Sequence, residues 1–217
     1  MEALINDSQT EDLDILLIQE PPLSAYQTHV NHRCWQLYQP TDATDEGVRK
    51  RSLVYVNKRI STSAHRQLQC NSPDVSAVKV WTEDTQFLIF SVYIPPIAHT
   101  QMSQNVSMQS TLDEIQATID ASQDNNRTTK IIMAGDFNRH HPAWSNRQVY
   151  YLHLRHSEEL LAFIQDHRMQ WGLPSGTPTY WSLSCPGTSS TLNLTLTNML
   201  ERIIKCYLYH NNYGSDH

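Results

Sequence analysis

The 217-residue chain carries 16 Lys and Arg against 22 Asp and Glu, a formal net charge of −6, with 39% hydrophobic and 18% charged residues. That is the make-up of one globular domain with a sizeable core, and no linker divides residues 1–217. It excludes a domain that holds nucleic acid by bulk phosphate neutralisation, which would be basic; contact with nucleic acid must run through a local patch or a bound metal.

Four cysteines, Cys34, Cys70, Cys185 and Cys206, are scattered and form no CxxC pair. This argues against a zinc site or a disulfide framework and for a reducing, intracellular compartment. The first twelve residues, MEALINDSQTED, are acidic and polar, unlike a signal or transit peptide. The longest apolar runs, such as Ile15-Leu16-Leu17-Ile18, are far too short to span a bilayer. A nuclear or cytoplasmic protein, not secreted and without a membrane partner, is expected.

In chain order, Asp14 to Ile18 reads as a buried strand that ends at Gln19-Glu20-Pro21-Pro22. Ser52 to Asn57, Ser76 to Trp81 and Phe87 to Tyr93 are three more strands, the last stopped by Pro95-Pro96. Met102 to Ala121 carries Met108, Leu112, Ile115 and Ile119 at helical spacing, and a polar loop over Gln123 to Thr129 follows. Lys130 to Ala134 is a strand closed by Gly135-Asp136, and Ser157 to His167 is a helix with Leu160, Leu161 and Ile164 on one face. Thr191 to Leu196 and Ile203 to Leu208 are later strand candidates. Short strands bounded by Pro, Gly, Asn and Asp, with helices between them, predict an α+β protein with two packed sheets and helices outside.

Four clusters at strand ends carry groups fit for chemistry. Glu20 offers a hard carboxylate oxygen of the kind Mg²⁺ takes, although alone it reads more readily as a solvated turn residue. In Gly135-Asp136-Phe137-Asn138, Asp136 and Asn138 are two apart and face one side of an extended segment. One can position a water and the other can donate to a phosphate oxygen. An Asx turn explains the pair as well, but the run-on Arg139-His140-His141-Pro142-Ala143-Trp144 is more than a plain turn needs. In Ser189 to Leu194, alternation puts Thr191, Asn193 and Thr195 on one face, as in any half-buried strand. Gly214-Ser215-Asp216-His217 pairs an imidazole with a carboxylate, which suits a general base or a transition-state stabiliser; read alone it is also a loose end.

The ordered set of strand-QE, YIPP, strand-GDFN followed by His and Trp, SSTLxLTL and GSDH resembles the endonuclease/exonuclease/phosphatase superfamily. Within it, the set resembles the apurinic-like endonuclease domains of LINE-type retrotransposons, particularly fungal ones. The resemblance implies a four-layer α/β/β/α sandwich of DNase I type, with two face-to-face mixed β-sheets flanked by helices, and terminal strands missing from this chain. It also implies hydrolysis of DNA phosphodiester bonds with Mg²⁺ or Mn²⁺, nicking a genomic target so that the 3′-hydroxyl primes a reverse transcriptase of the same element. By position, Glu20 and Asp216 become metal ligands and Asp136 the residue that orients the attacking water. Asn138 becomes the phosphate-contacting amide, Tyr93 a group near the scissile phosphate, and His217 the stabiliser of the phosphorane.

Three departures matter. The family's opening strand, with its Asn, has no counterpart, and the chain stops at His217 where a final strand is expected. Asn193 stands where an Asp should support the catalytic His, an exchange that in the serine-protease triad costs about 10⁴ in turnover. Two readings stay open: an endonuclease of weak or no activity, and a catalytically dead remnant or nucleic-acid-binding module. A phosphoinositide-type phosphatase fits less well, since its W-x-G-D-x-N-x-R pattern differs from AGDFNRHHPAW. Arg49, Lys50 and Arg51, with Lys58 and Arg59, are the densest basic stretch and a candidate DNA-backbone contact.

Overall fold

In a computed structural model, residues 1–22, 29–40, 49–98, 108–145, 149–182, 184–185, 187–211 and 213 are described. One helical turn, α1 (Glu2–Ile5), precedes strands β1 (Ile15–Gln19), β2 (Trp35–Tyr38) and β3 (Ser52–Asn57). These pair antiparallel in the order β1-β3-β2. Then come β4 (His65–Leu68), β5 (Val75–Trp81), β6 (Thr85–Tyr93), helix α2 (Gln109–Ala121) and β7 (Thr128–Asp136). Helices α3 (Pro142–Ser145), α4 (Tyr151–Arg155) and α5 (Glu158–Asp166) lead to β8 (Gln170–Trp171). A small hairpin of β9 (Tyr180–Trp181) and β10 (Ser189–Ser190) precedes β11 (Asn193–Thr197) and a 3-10 turn at Leu200–Arg202. The larger sheet has the order β4-β5-β6-β7-β11-β8. Its β6–β7 pair is parallel, and α2 supplies the crossover such a pair requires.

Three apolar layers hold the sandwich together. Val54, Val56, Val78 and Ile89 pack between the sheets, with Ile15, Leu17 and Ile132 beside them. On the outer face of the large sheet, Phe90, Met133 and Leu196 meet Leu112, Ile115 and Ile119 of α2 and Leu160 and Ile164 of α5. On the outer face of the small sheet, Leu16, Leu53 and Tyr55 meet Ile5 of α1. The order helix, sheet, sheet, helix is the expected four-layer sandwich, and among the described residues the layer over the small sheet is one helical turn. The large sheet is mixed, whereas the described strands of the small one are all antiparallel.

The strands at 52–57, 75–81, 85–93 and 193–197 lie close to their expected spans. Strand β7 begins at Thr128, inside the stretch read as loop, because Thr128 and Thr129 pair in register with Thr85 and Gln86. Helix α2 begins at Gln109; residues 102–107 of the expected helix lie outside the described residues. Ile203 to Leu208 is not a strand: Ile204 is fully exposed, Tyr207, Leu208 and Tyr209 are exposed, and no described strand pairs with the segment. Apolar β-formers make a strand only where a neighbour is available to pair with. The segment instead lies on the surface, with the Tyr209 hydroxyl on the Gln9 side chain and Tyr213 on Asp7. The four cysteines are free, and no described helix is long and apolar enough to cross a membrane.

Candidate active site at the polar end of the sheet interface

Side chains alternate faces along a strand, so each strand sends every second residue into the space between the sheets. On β6 that row is Ile89, Ser91, Tyr93, and on β7 it is Ile132, Ala134, Asp136. On β3, running the other way, it is Val56, Val54, Ser52. The interface is therefore apolar at one end and polar at the other. Hydroxyls stitch the transition: Ser52 donates to the Ser91 carbonyl and Ser76 to the Ser52 carbonyl, each at 2.7 Å. Gln19 Nε2 donates to Ser91 Oγ at 2.8 Å. Beyond these serines, at the polar end, lie Tyr93 and Asp136.

Register brings three of them into one row. Tyr93 on β6 is the parallel partner of Asp136 on β7, and Asn193 on β11 is its antiparallel partner. Gly135 makes the close approach possible, since a Cβ there would lie 1.8 Å from the Val92 carbonyl oxygen. Asp136 is 5% exposed. The Asn138 backbone N–H donates to its Oδ1 at 3.2 Å and Asn138 Nδ2 to its Oδ2 at 2.8 Å. Asn138 Nδ2 also donates to the Ile94 carbonyl at 3.1 Å, so both amide hydrogens are engaged. Asn138 takes φ 48, a left-handed conformation that Asn tolerates better than most residues.

The run-on of the GDFN motif braces this loop. Arg139 is buried, donates to the Pro95 and Asn138 carbonyls, and is drawn down to about 10 by burial, against the pull of Glu159 and Asp136. Trp144, also buried, donates its indole N–H to the Arg139 carbonyl at 3.0 Å. His141 Nδ1 accepts from the Ala143 N–H and the ring lies 5.0 Å from the Trp144 ring, while His140 packs edge-on to His153 at 4.9 Å. Burial holds His140, His141 and His153 below their ordinary value. An open cavity of about 400 Å³ adjoins the loop, lined by His140, Tyr150, His153 and Thr188 to Thr191.

Glu20 reaches the same end from the small sheet. It follows β1 directly, is exposed, and takes φ 47, with its N–H on the Arg51 carbonyl at 2.8 Å. Its carboxylate lies near the Tyr93 side chain; burial first and then this carboxylate hold the Tyr93 hydroxyl well above its ordinary value. Arg51 lies with its guanidinium carbon 5.0 Å from the Tyr93 ring centre and pairs with Asp74 through Nε and Nη2 at 2.6 and 2.7 Å. Burial raises the Asp74 carboxyl more than Arg51 lowers it. The Arg51–Asp74 pair was missed at the sequence level. Position alone gave no signal, because Arg51 reads there as one of three basic residues.

Glu20, Tyr93, Asp136, Asn138 and Asn193 thus converge at one end of the interface. Asp216 and His217 lie outside the described residues. The basic stretch is divided: Arg49 to Arg51 enter β3 at the site end, with Arg49 on the Pro21 carbonyl. Lys58 and Arg59 leave β3 at its other end, where Arg59 pairs with Asp14 at 2.9 Å and Lys58 donates to the His32 carbonyl. A six-residue strand separates the two groups by roughly 20 Å. Among the described residues no three His, Cys, Asp or Glu cluster as a metal cage. Mg²⁺ needs only one or two protein carboxylates, with water and phosphate completing its shell, and the exposed Glu20 carboxylate at a rigid strand end fits that demand.

Residues 87–217 match the family described as endonuclease-reverse transcriptase. Solved structures share the fold, three of them as follows. The endonuclease domain of TRAS1, a telomere-specific non-LTR retrotransposon, is 16% identical, with 91% of this chain and 78% of that one covered at a TM-score of 0.62. The AP endonuclease LMAP of Leishmania major is 13% identical, with 88% and 72% covered at 0.64. The catalytic domain of Xenopus laevis APE2 is 13% identical, with 89% and 77% covered at 0.57. No curated protein matches the chain in sequence.

Proposed function

This chain belongs to the endonuclease-reverse transcriptase family, and we propose that it is the DNA-nicking domain of a LINE-type retrotransposon, a Mg²⁺- or Mn²⁺-dependent phosphodiesterase. The observation that carries this reading is the row Tyr93–Asp136–Asn193, joined by Asn138 and faced by Glu20 from the other sheet. In this reading Glu20, with Asp216, holds the metal, which when bound supplies Lewis acidity and offsets the phosphate charge.

The chain's own residues do the rest. Asp136 orients the attacking water and takes its proton; the two bonds from Asn138 fix which carboxylate lone pairs face outward. Asn138 meets a phosphate oxygen by releasing one of its two present acceptors. Tyr93 directs its hydroxyl into the site between Glu20 and the substrate. His217 stabilises the charge that develops on the phosphorane, as preorganised donors do. The partner is duplex DNA, with a reverse transcriptase of the same element taking over the nicked end, in the nucleus.

One observation favours the alternative of an inactive remnant: position 193, in register with Asp136, holds an uncharged amide. An Asn hydrogen-bonds an imidazole but cannot balance an imidazolium. Nicking of supercoiled plasmid decides between the two readings. Relaxed circles that form with Mg²⁺ or Mn²⁺, and not with EDTA or with Asp136→Ala, support the enzyme. A folded wild-type chain that leaves the plasmid supercoiled supports the remnant.

A further inference from the structure

The site draws residues from two sheets, so something must set the distance between Glu20 on one and Asp136 on the other. Arg51 stands at that junction. Its main chain is pinned to both sheets: its carbonyl accepts from Glu20 N–H and its N–H donates to the Pro73 carbonyl just before β5, each at 2.8 Å. Its side chain forks onto both Asp74 oxygens, while the Asp74 carbonyl accepts from the Tyr93 N–H at 2.9 Å. The guanidinium covers the Tyr93 ring, and the Glu20 carboxylate lies close enough to the Tyr93 hydroxyl to act on its titration. The contacts close a circuit: Glu20, Tyr93, Arg51, Asp74 and back through the backbone.

We propose that Arg51 is a positioning residue: it holds the Tyr93 ring in place beside Glu20, so that the two halves of the site keep their spacing. The proposal rests on the nuclease reading for its functional meaning. Two facts separate it from a plain ion pair or a DNA contact. An exposed pair adds little, but here one planar cation serves an ion pair and an aromatic face at once, which Arg does and Lys does not. The Nε–Nη2 edge is already committed to Asp74, so that fork is not free to clamp a phosphate.

The test places ¹³Cζ-labelled tyrosine in the full chain, with Tyr93→Phe identifying the Tyr93 resonance. Arg51→Met and Glu20→Gln should each displace that resonance, and the double variant should displace it no further than the larger single one. A resonance that Glu20→Gln moves and Arg51→Met leaves in place overturns the proposal, as do shifts that simply add. Should Arg51→Met not fold, Arg51→Lys and Asp74→Asn take its place, with the same outcomes. This readout needs no nicking, so a wild-type chain that fails to nick sinks the nuclease reading and leaves the NMR result to decide Arg51. Where nicking occurs, Arg51→Met should lower kcat by about 10- to 100-fold with KM nearly unchanged. The same change in a Tyr93→Phe background should add little. A loss carried by KM makes Arg51 a DNA contact and overturns the positioning role.

Discussion

The two halves of the candidate site are built differently. The Asp136–Asn138 half is over-determined: a glycine that only a bare backbone permits, a buried carboxylate with two donors from one Asn, and a buried Arg and Trp closing the loop from behind. The Glu20 half is open, with an exposed carboxylate at the end of a strand, its backbone held by one bond to the Arg51 carbonyl and its side chain lying near Tyr93. Groups that orient a reacting atom gain from being fixed in advance. A ligand for a hydrated hard cation gains from access to water, since Mg²⁺ keeps part of its hydration shell. The contrast suits a site in which the protein supplies geometry on one side and leaves the other to be completed on binding.

Variants can break this contrast or sharpen it. Gly135→Ala should be the most damaging: its methyl meets the Val92 carbonyl at 1.8 Å, so β6 and β7 must part. A loss of about 3 kcal/mol or more is expected in urea unfolding, as for other backbone clashes in a core. Trp144→Ala should cost about 3–5 kcal/mol, since it opens a cavity and frees the Arg139 carbonyl. Thermal melting reads this loss, and a variant that melts with wild type would remove the Trp from its bracing role.

Acid should loosen the same half. His140, His141 and His153 are each held by burial below their ordinary value of 6.5. Their folded pKa is depressed, so below about pH 6.5 the unfolded chain takes up protons that the folded chain refuses. Stability is whole above that pH and is lost as pH falls toward the folded values. Urea midpoints should decline from pH 7 to pH 5.5, and less steeply in His140→Gln. Smaller again is Asn193→Asp, which sets a second carboxylate directly opposite Asp136. Like charges in that arrangement cost roughly 0.2–1 kcal/mol, to be read without divalent metal. If the nuclease reading is right, the same variant should nick faster than wild type.

Much of this was legible in the sequence because it depends on period and punctuation. Strands such as Ser52–Asn57 lie where apolar runs meet turn residues, and Glu20, Tyr93, Asp136, Asn138 and Asn193, named from strand ends, lie at one end of the interface, because strands stacked in register carry their ends to one rim. What failed depends on partners that lie far away in the chain. The polar β4, HRQL, became a strand because β5 was there to pair with it, and the apolar Ile203 to Leu208 did not for want of a described neighbour. Arg51 looked like one more surface cation until Asp74, 23 positions on, was brought to its fork. The separation of Lys58 and Arg59 from the site follows from the length of β3, which a composition-based reading of a basic patch does not use.

In the proposed nuclease site, Glu20 is the open half that would hold the metal. The most direct test of that role is the plasmid nicking rate against Mg²⁺ concentration for wild type and Glu20→Ala, with melting temperatures taken alongside. Wild type should nick with saturable Mg²⁺ dependence. Glu20→Ala should stay at background throughout while melting with wild type, since an exposed side chain contributes within about 0.5 kcal/mol. A Glu20→Ala chain that nicks with the wild-type Mg²⁺ midpoint would contradict the account.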